Sequence, residues 1–318
     1  MTDDVEILGA ALAWLQAGQR VALVTVLRTW GSSPRPPGAL LAMNGSGQFV
    51  GSVSGGCIEE ALVARYHDEE LAGPTPTMLD FGVDRQEAAR MGLPCGGRLE
   101  VMIEELCKPG SSEDLLARVR NGELVARQVN LASGAVMLLP GAAGNELQVS
   151  DTGVIRTFGP VWQLVIIGDG QLARHLANMA LQLDYRVVIC DPRASYSAPV
   201  PIDGIDYSQE MPDDAVNLMA DQARTAVVTV AHDPRQDDLA LCAALESEAF
   251  YIGALGSSRS AWARIKRLQS LGYTAEQLER IHGPAGLTIG SKRPAEIAVS
   301  ILAQMTAIRN GIFLSPAI

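Results

Sequence analysis

The sequence predicts an α/β protein in which a C-terminal Rossmann-type domain, with a doubly wound parallel sheet, follows an N-terminal mixed α+β domain. From about Trp162 onward, short apolar strands alternate with amphipathic helices, which is typical of a parallel sheet covered by helices on both faces. Before that point, two amphipathic helices are mixed with short strands and with turns rich in Gly and Pro. The two domains are therefore expected to span residues 1–158 and 159–318.

The N-terminal domain is predicted to open with an amphipathic helix over 4–17 and a strong apolar strand over Val21–Leu27. The prolines of segment 31–38, GSSPRPPG, remove backbone donors and exclude a helix or a central strand. Asn44–Gly47 is typical of a hairpin turn, and the segment after Cys57 is typical of a helix. Further strands are predicted over Thr77–Phe81, over Arg98–Glu104 and, as short pieces, within 122–158.

The C-terminal domain is predicted from its alternation of strands and helices. Strand Gln163–Ile167 leads into a helix over 171–183, and strand Arg186–Cys190 follows. Residues 192–210 are predicted to be irregular. Beyond them the pattern predicts a weak helix, strand Thr225–Ala231, a helix over 235–247, strand Phe250–Ile252, and helices over 258–271, 275–281 and 294–309.

Composition and charge limit the classes of function. The chain has 318 residues, of which 47% are hydrophobic and 19% charged, enough to bury a large core. A net charge of −11 without any run of Lys or Arg argues against nucleic acid as a partner. An acidic N-terminus and the absence of an apolar stretch of about 20 residues predict a cytoplasmic protein with no membrane segment. A homodimer is expected, because the small first domain is not expected to cover every apolar face alone.

The turn after the first strand of the C-terminal domain has the pattern GxGxxA. Gly168 permits a tight turn, and Gly170 lets the backbone approach a pyrophosphate at the start of the next helix. Ala173 is small enough for close packing of that helix on the strand. Asp191 ends the second strand, where an acidic residue would bind a ribose hydroxyl. These residues indicate a bound dinucleotide such as NAD(P), or a pterin-type nucleotide, but a Rossmann scaffold that binds no nicotinamide cofactor is an equal alternative.

Further ionisable residues of this domain leave the identity of the ligand undecided. Asp169 places a negative charge beside the phosphate position, and Arg193 favours a 2′-phosphate or another phosphorylated ligand. His232 follows a predicted strand, at the end where parallel sheets bind ligands, and is a candidate contact for a ligand or metal. Asp233, before a proline, is equally well explained as a helix cap.

Two cysteines flanked by glycines are the candidate reactive groups of the first domain. Cys57 follows Gly55 and Gly56 at a predicted helix N-terminus, which stabilises a thiolate, although Glu59 and Glu60 oppose that effect. Cys95 precedes two glycines in a loop. A soft thiolate suits a soft metal, a persulfide or a thiol-transfer step. The alternative is that both cysteines simply pack beside glycine, as is expected of Cys107, Cys190 and Cys242.

The loop GSSPRPPG is a candidate anion cradle. Ser32 and Ser33 offer hydroxyl donors, and Arg35 offers a guanidinium that can bind a phosphate through two donors. Ser54, in the segment before Cys57, adds a further hydroxyl. A rigid turn without a ligand is the alternative interpretation of the same residues.

Taken together, these segments resemble the XdhC/CoxI family of accessory factors of molybdenum hydroxylases. In the N-terminal domain the resemblance is in GSSPRPPGALLAM, GSVSGGCIEEAL and LPCGGRLEV. In the C-terminal domain it is in IIGDGQLARHLANMA, ICDPR, VTVAHDPRQDDLAL, YIGALGSSRS and HGPAGLTIGSKRPAEIAVSILAQM. Several separated motifs in the same order are far more specific than any one of them alone.

The resemblance implies a chaperone rather than an enzyme with its own turnover. It implies that the protein binds and protects molybdenum cofactor (molybdopterin), assists its sulfuration with a cysteine desulfurase, and helps insert it into a xanthine-dehydrogenase-type apoenzyme. Cys57 and Cys95 fall on family motifs and become the candidates for contact with the molybdenum. The alternatives are an NAD(P)-dependent oxidoreductase, for which no convincing proton donor is found, and a nucleotide-sensing regulatory protein.

Overall fold

The computed structural model describes residues 2–31, 35–56, 58–71, 73–82, 98–142, 146–160, 162–193, 200–219, 223–231 and 233–312. The chain divides into two compact units, Met1–Gly159 and Pro160–Ile318. No helix in the described ranges is long and apolar enough to cross a membrane.

Five strands of the N-terminal unit form an antiparallel sheet: β1 (Val21–Trp30), β2 (Leu40–Asn44), β3 (Phe49–Gly51), β4 (Thr77–Phe81) and β5 (Arg98–Glu105). Their order is β3-β2-β1-β5-β4. The central strand β1 is rich in valine, whose branched side chain favours extended backbone. It pairs with β2 on one side and β5 on the other, so its backbone is hydrogen-bonded along both edges.

Helices cover both faces of this sheet, and a second sheet lies in the same unit. The helices are α1 (Thr2–Gln16), α2 (Glu59–His67) and α3 (Pro109–Arg120). The second sheet is antiparallel, in the order β7-β6-β9-β8, and consists of β6 (Val125–Asn130), β7 (Val136–Pro140), β8 (Leu147–Val149) and β9 (Gly153–Phe158). Alternate residues of β1 point to opposite faces: Val24 packs with Leu62 of α2, and Leu23 packs with Leu8 of α1.

The C-terminal unit contains a parallel sheet of six strands: β10 (Trp162–Ile167), β11 (Tyr185–Cys190), β12 (Ile205–Ser208), β13 (Thr225–Thr229), β14 (Tyr251–Ala254) and β15 (Ile281–His282). Their order is β12-β11-β10-β13-β14-β15, and every pairing is parallel. The chain starts at the centre, runs to one edge, and returns to fill the other side. This is the dinucleotide-binding strand order, with its switch point between β10 and β13.

Helices lie on both faces of this sheet: α4 (Gln171–Gln182), α5 (Pro212–Met219), α6 (Pro234–Glu246), α7 (Ser258–Ser270), α8 (Ala275–Leu278) and α9 (Pro294–Arg309). Leu164 and Ile166 of β10 face the core made with α4 and α9. Val165 and Ile167 face the opposite core, made with α5 and α6. The predicted fold class, a Rossmann-type doubly wound sheet after an α+β domain, is confirmed.

Three elements differ from the sequence-based predictions. No element was predicted between Glu104 and residue 122, where α3 lies with Pro109 in its first turn. The prediction that 192–210 is wholly irregular is wrong, because Ile205–Ser208 pairs with β11; its own sequence, IDYS, has only one buried residue to indicate a strand. The helix predicted over 275–281 ends at Leu278, and Ile281 instead pairs with Ile252 of β14.

Candidate functional site

The loop between β3 and α2 is organised around one buried carboxylate, that of Glu59, which is 2% exposed. Its two oxygens accept hydrogen bonds at 2.7–3.1 Å from the Ser52 hydroxyl and from the backbone amides of Val53, Ser54, Gly56 and Ile58. The Ser54 hydroxyl donates to the same carboxylate. The loop therefore wraps around an anion that the chain itself supplies.

These donors determine the ionisation of Glu59. Burial alone would raise its pKa, but the hydrogen bonds from Ser54 and Ser52 stabilise the charged form and outweigh burial. The pKa of Glu59 falls from 4.5 to about 2. The carboxylate is therefore ionised at neutral pH, and it neutralises the partial positive charge of the amides around it.

On the solvent-facing side of the same loop, the backbone is exposed and carries no side chains at two consecutive positions. Gly55 and Gly56 have φ angles of 79° and 107° and are both exposed. A side chain added at Gly56 would meet no atom of the described residues within 4 Å, so these residues leave the space over the turn open. A bulky ligand can therefore approach the backbone directly before position 57, on a loop that Glu59 holds from beneath.

Arg35 lies at the same loop. Its Nε donates to the Ser52 carbonyl oxygen at 3.1 Å, and its Nη2 lies 3.7 Å from a carboxylate oxygen of Asp3. The structure thus brings together four of the residues that the sequence singled out in this unit: Arg35, Ser54, Gly55 and Gly56. Ser54 is buried, and its hydroxyl donates to Glu59. It would therefore affect a ligand by fixing the conformation of the loop and not by direct contact.

Five of the candidate residues lie outside the described ranges: Ser32, Ser33, Cys57, Cys95 and His232. Their roles stay predictions. Among the residues that are described, no group of three or more His, Cys, Asp and Glu side chains is arranged to hold a metal ion.

In the C-terminal unit, the glycine turn joins β10 to α4. Gly168 has φ 103°, and a Cβ there would lie 2.6 Å from the Cα of Ala231, so the turn needs glycine both for its conformation and for its packing. Gly170 begins α4 with extended backbone, and a Cβ on it would meet no atom within 4 Å among the residues that the structure describes. Ala173 is fully buried in the core against β10. The turn thus has the geometry of a dinucleotide-binding loop.

Asp191 and Arg193 come together at the end of β11, but they bind each other. Arg193 donates from its backbone amide and its Nε to Asp191 Oδ1, at 3.1 and 2.8 Å. Asp191 Oδ2 accepts the backbone amide of Asp169 at 3.0 Å and so ties the glycine turn to β11. Hydrogen bonds from the Arg193 side chain lower the pKa of Asp191 despite its burial. A ribose would have to displace Arg193 to reach this carboxylate.

Asp169 adds a charge that a pyrophosphate would meet. Its side chain is 15% exposed, and Oδ1 lies 3.5 Å from Nη1 of Arg174. Arg174 also donates to the carbonyl oxygen of Val200. The glycine turn therefore has dinucleotide geometry combined with a carboxylate that disfavours a phosphate, which makes it a poor match for a conventional nicotinamide cofactor.

Sequence reasoning missed how three residues act. The sequence predicts that Glu59 opposes a thiolate at Cys57, whereas in the structure Glu59 anchors the loop. Asp237 is buried and accepts the backbone amide of Ala231 at 3.3 Å, opposite the glycine turn. Arg264, also buried, contacts Asp237 at 3.4 Å across 27 residues of sequence. One signal in the sequence could have revealed that Arg264 is buried. In the helical pattern of α7, Arg264 falls on the apolar face together with Ala261 and Leu268.

Fold and site together define a class of protein: a dinucleotide-type domain whose glycine turn is modified, joined to an α+β domain with an open Gly-Gly turn. Two family models match this chain. One, described as the XdhC and CoxI family, matches residues 14–82, and the other, the XdhC Rossmann domain, matches residues 164–305. The chain belongs to the XdhC/CoxI family, as the motifs of both domains predict.

Individual relatives match almost the whole chain. A protein of Escherichia coli (strain K12) named molybdenum cofactor insertion chaperone PaoD is 29% identical over 97% of this chain and 90% of its own length. A Bacillus subtilis (strain 168) protein, named as a probable xanthine dehydrogenase subunit, is 24% identical over 94% of this chain and 96% of its own.

A solved structure shares the fold. It is described as a xanthine dehydrogenase from Bacillus halodurans, and it superimposes with a TM-score of 0.74 at 23% identity, covering 99% of this chain and 98% of that one. The likeness supports the fold of both units and says nothing about activity.

Proposed function

We propose that this protein is a chaperone of molybdenum cofactor, which it binds, protects and helps to insert into a molybdoenzyme. The observation that carries the proposal is the match along almost the full length of both chains to a protein named molybdenum cofactor insertion chaperone. The second relative, whose name refers to xanthine dehydrogenase, supports a xanthine-dehydrogenase-type apoenzyme as the recipient.

The N-terminal loop supports the proposal by its shape. Molybdopterin has a pterin ring, a phosphate and two dithiolene sulfurs, so a carrier needs an approachable surface beside soft side chains. The exposed Gly55–Gly56 turn is open on its outer side and directly precedes Cys57. Because Glu59 already occupies the inward-facing amides, the loop presents its surface without any need to collapse onto a ligand. We infer that Cys57, together with Cys95, contacts or shields the metal of the cargo.

Three finer parts of the proposal have different grounds. Assistance with sulfuration through a cysteine desulfurase comes from the family resemblance. A cytoplasmic location is expected from the acidic N-terminus and the lack of a long apolar stretch, and a homodimer from the apolar faces of the first domain. An NAD(P)-dependent oxidoreductase is the less favoured alternative, because Arg193 and Asp169 already occupy the carboxylate of Asp191 that a ribose would need.

The proposal predicts that the protein purifies with cofactor. Expressed in a molybdenum-replete cell, it should carry molybdenum, measured by mass spectrometry, and a pterin, measured by fluorescence after release. Cys57→Ala and Cys95→Ala should each lower the molybdenum content by about tenfold or more, since a soft metal binds thiolate strongly. Cys107→Ala removes an exposed free cysteine and is the matched control, which should retain the wild-type content.

Two results would count against this function. If wild-type protein carries neither molybdenum nor pterin, the chaperone proposal fails. If it instead binds NADH with a micromolar dissociation constant, the oxidoreductase alternative is favoured. Equal molybdenum content in the three cysteine variants would overturn only the assignment of Cys57 and Cys95.

A further inference from the structure

The turn between β14 and α7 lies at the end of the parallel sheet where such folds bind ligands. Gly256 has φ 153°, and Ser257 caps the helix by accepting the Ser260 amide on its hydroxyl oxygen at 3.2 Å. The backbone amides of Ser258 and Arg259 point out of the first helical turn, and no acceptor for them is found in the described part of the chain. Both residues are exposed. The 13-residue helix α7 thus begins with free donors and a partial positive charge.

A buried guanidinium lies beneath this turn. The side chain of Arg264 is 6% exposed, and its Nη2 donates to the Leu255 carbonyl oxygen at 3.0 Å. Its Nε and Nη1 are buried and have no hydrogen-bond partner among the described residues. Nη1 lies 3.9 Å from the point where a Cβ on Gly256 would be, so this donor faces the turn from below. Buried charged donors without partners are costly, so an acceptor that entered beneath the turn would stabilise these two nitrogens.

The charges around the turn leave it positive. Arg264 is balanced by Asp237 at 3.4 Å and by Asp238 at 4.0 Å, and Asp238 in turn binds Arg267. The first turn of α7 contains no acidic residue and instead carries Arg259. A cation there is unfavourable beside the helix dipole unless an anion is bound. Helices α5, α6 and α9 of the same unit each have an acidic residue in that position.

We propose that the turn Gly256–Arg259, with Arg264 beneath it, binds the phosphate group of a phosphate monoester. The free amides, the serine hydroxyls and the two arginines are donors that together suit a phosphate dianion. The glycine turn at Gly168 is the usual phosphate site of this fold, but there Asp169 repels an anion. In this protein the proposed phosphate site thus lies at the end of β14, and not at the end of β10 as is usual for the fold. The inference goes beyond the proposed function, because it does not require that the phosphate belong to molybdenum cofactor.

The test is a titration of the full-length protein with inorganic phosphate at constant ionic strength, followed by ³¹P NMR. Arg259→Ala should raise the dissociation constant about fivefold or more, since it removes a charged donor from the anion. Lys266→Ala, which removes the same charge about 10 Å further along the same helix, is the matched control and should change the constant less than twofold. Arg264→Lys keeps the buried charge but not the geometry of the guanidinium, and should also weaken binding.

A second readout locates the site. Trp262 is 64% exposed and lies one helical turn after Arg259. Phosphate should change tryptophan fluorescence in the wild type and not in Trp262→Phe. No saturation below about 10 mM phosphate, or equal weakening by Arg259→Ala and Lys266→Ala, would overturn the proposal, since millimolar affinity or general charge screening does not indicate a built site.

The source of the phosphate is tested separately. If Arg259→Ala also lowers the pterin content of purified protein, the phosphate bound at α7 is that of the cofactor. If the pterin content stays at the wild-type level while phosphate binding is weakened, the site serves another phosphate monoester. Because phosphate binding is measured without cofactor, failure of the chaperone proposal and failure of this one are distinguishable.

Discussion

At the scale of single residues, the position of a carboxylate decides what it does. Glu59 and Glu60 are neighbours in the first turn of α2, yet Glu59 is buried within a ring of donors and Glu60 is exposed. Because the pKa of Glu59 is lower in the folded protein than in the unfolded chain, ionisation of this group stabilises the fold. That stabilisation is complete above pH 4.5 and is lost as the pH falls toward 2.

We therefore expect Glu59→Gln to lower the free energy of unfolding by about 3–4 kcal/mol at pH 7, a magnitude that follows from the fall of the pKa from 4.5 to about 2. The difference between the variant and the wild type should shrink as the pH falls from 4.5 toward 2, where the carboxyl becomes neutral in both states. Urea denaturation across this pH range measures it. Glu60→Gln is the control and should change stability by less than about 0.5 kcal/mol. A pH-independent difference would show that the hydrogen bonds, and not the charge, stabilise the loop.

At the scale of elements, the junction of β10 and α4 uses its two glycines for different reasons. Gly168 has positive φ and no room for a side chain, since the atoms of Ala231 that a Cβ would meet are mainly backbone. Gly170 has φ −98°, and the described part of the chain places no atom within 4 Å of a Cβ at this position. The first glycine is therefore required by the fold, and the second is required only if something approaches the turn.

This difference predicts that alanine destabilises the protein more at Gly168 than at Gly170. Gly168→Ala should destabilise the protein by about 2–4 kcal/mol, because a strained φ and a backbone clash add together. Gly170→Ala should cost no more than about 1 kcal/mol, the usual penalty for alanine at a helix start. Thermal or urea unfolding of the two variants measures this. Equal destabilisation by both would contradict the assignment.

Some strands and helices can be predicted from sequence patterns alone, and others cannot. Strands β10, β11 and β13 are continuous apolar runs between turn residues, and each was predicted within one or two residues. Strand β12 was not, since it lies at the sheet edge, with one buried residue and no alternation to detect. Helix α3 has its buried residues Leu115, Leu116 and Val119 at helical spacing, so the sequence of this segment does carry the pattern of a helix.

At the scale of the whole molecule, the chain forms two units with separate cores. The buried clusters built on the antiparallel strands contain residues only from the first unit, and those built on the parallel sheet contain residues only from the second. Each unit has about 159 residues, a size at which a single core is sufficient for independent stability.

We expect fragments 1–159 and 160–318 each to fold alone, with a single cooperative urea transition followed by circular dichroism. As a control, a cut after residue 130 separates β6 from β7 and β9, with which it pairs. The fragments from that cut should lose the cooperative transition of the first unit, because buried strand edges would be left unpaired. If fragment 160–318 is unfolded on its own, the cores are not independent.

The sequence by itself determined the alternation of strands and helices, the conformation of the glycine turn at Gly168 and the family, because these depend on residues close together in the chain. Only the tertiary structure decided what the charged groups do. Asp191 binds Arg193 and the glycine turn, Glu59 fills its own loop, and Arg264 lies buried under the turn at Gly256. Two contacts of these groups join residues more than 20 positions apart, Asp169 with Asp191 and Asp237 with Arg264. The donors to Glu59 lie within seven residues of it. A carboxylate or a guanidinium has no preferred partner in the sequence, and its partner is set by which segments the packing of the cores brings within hydrogen-bonding distance.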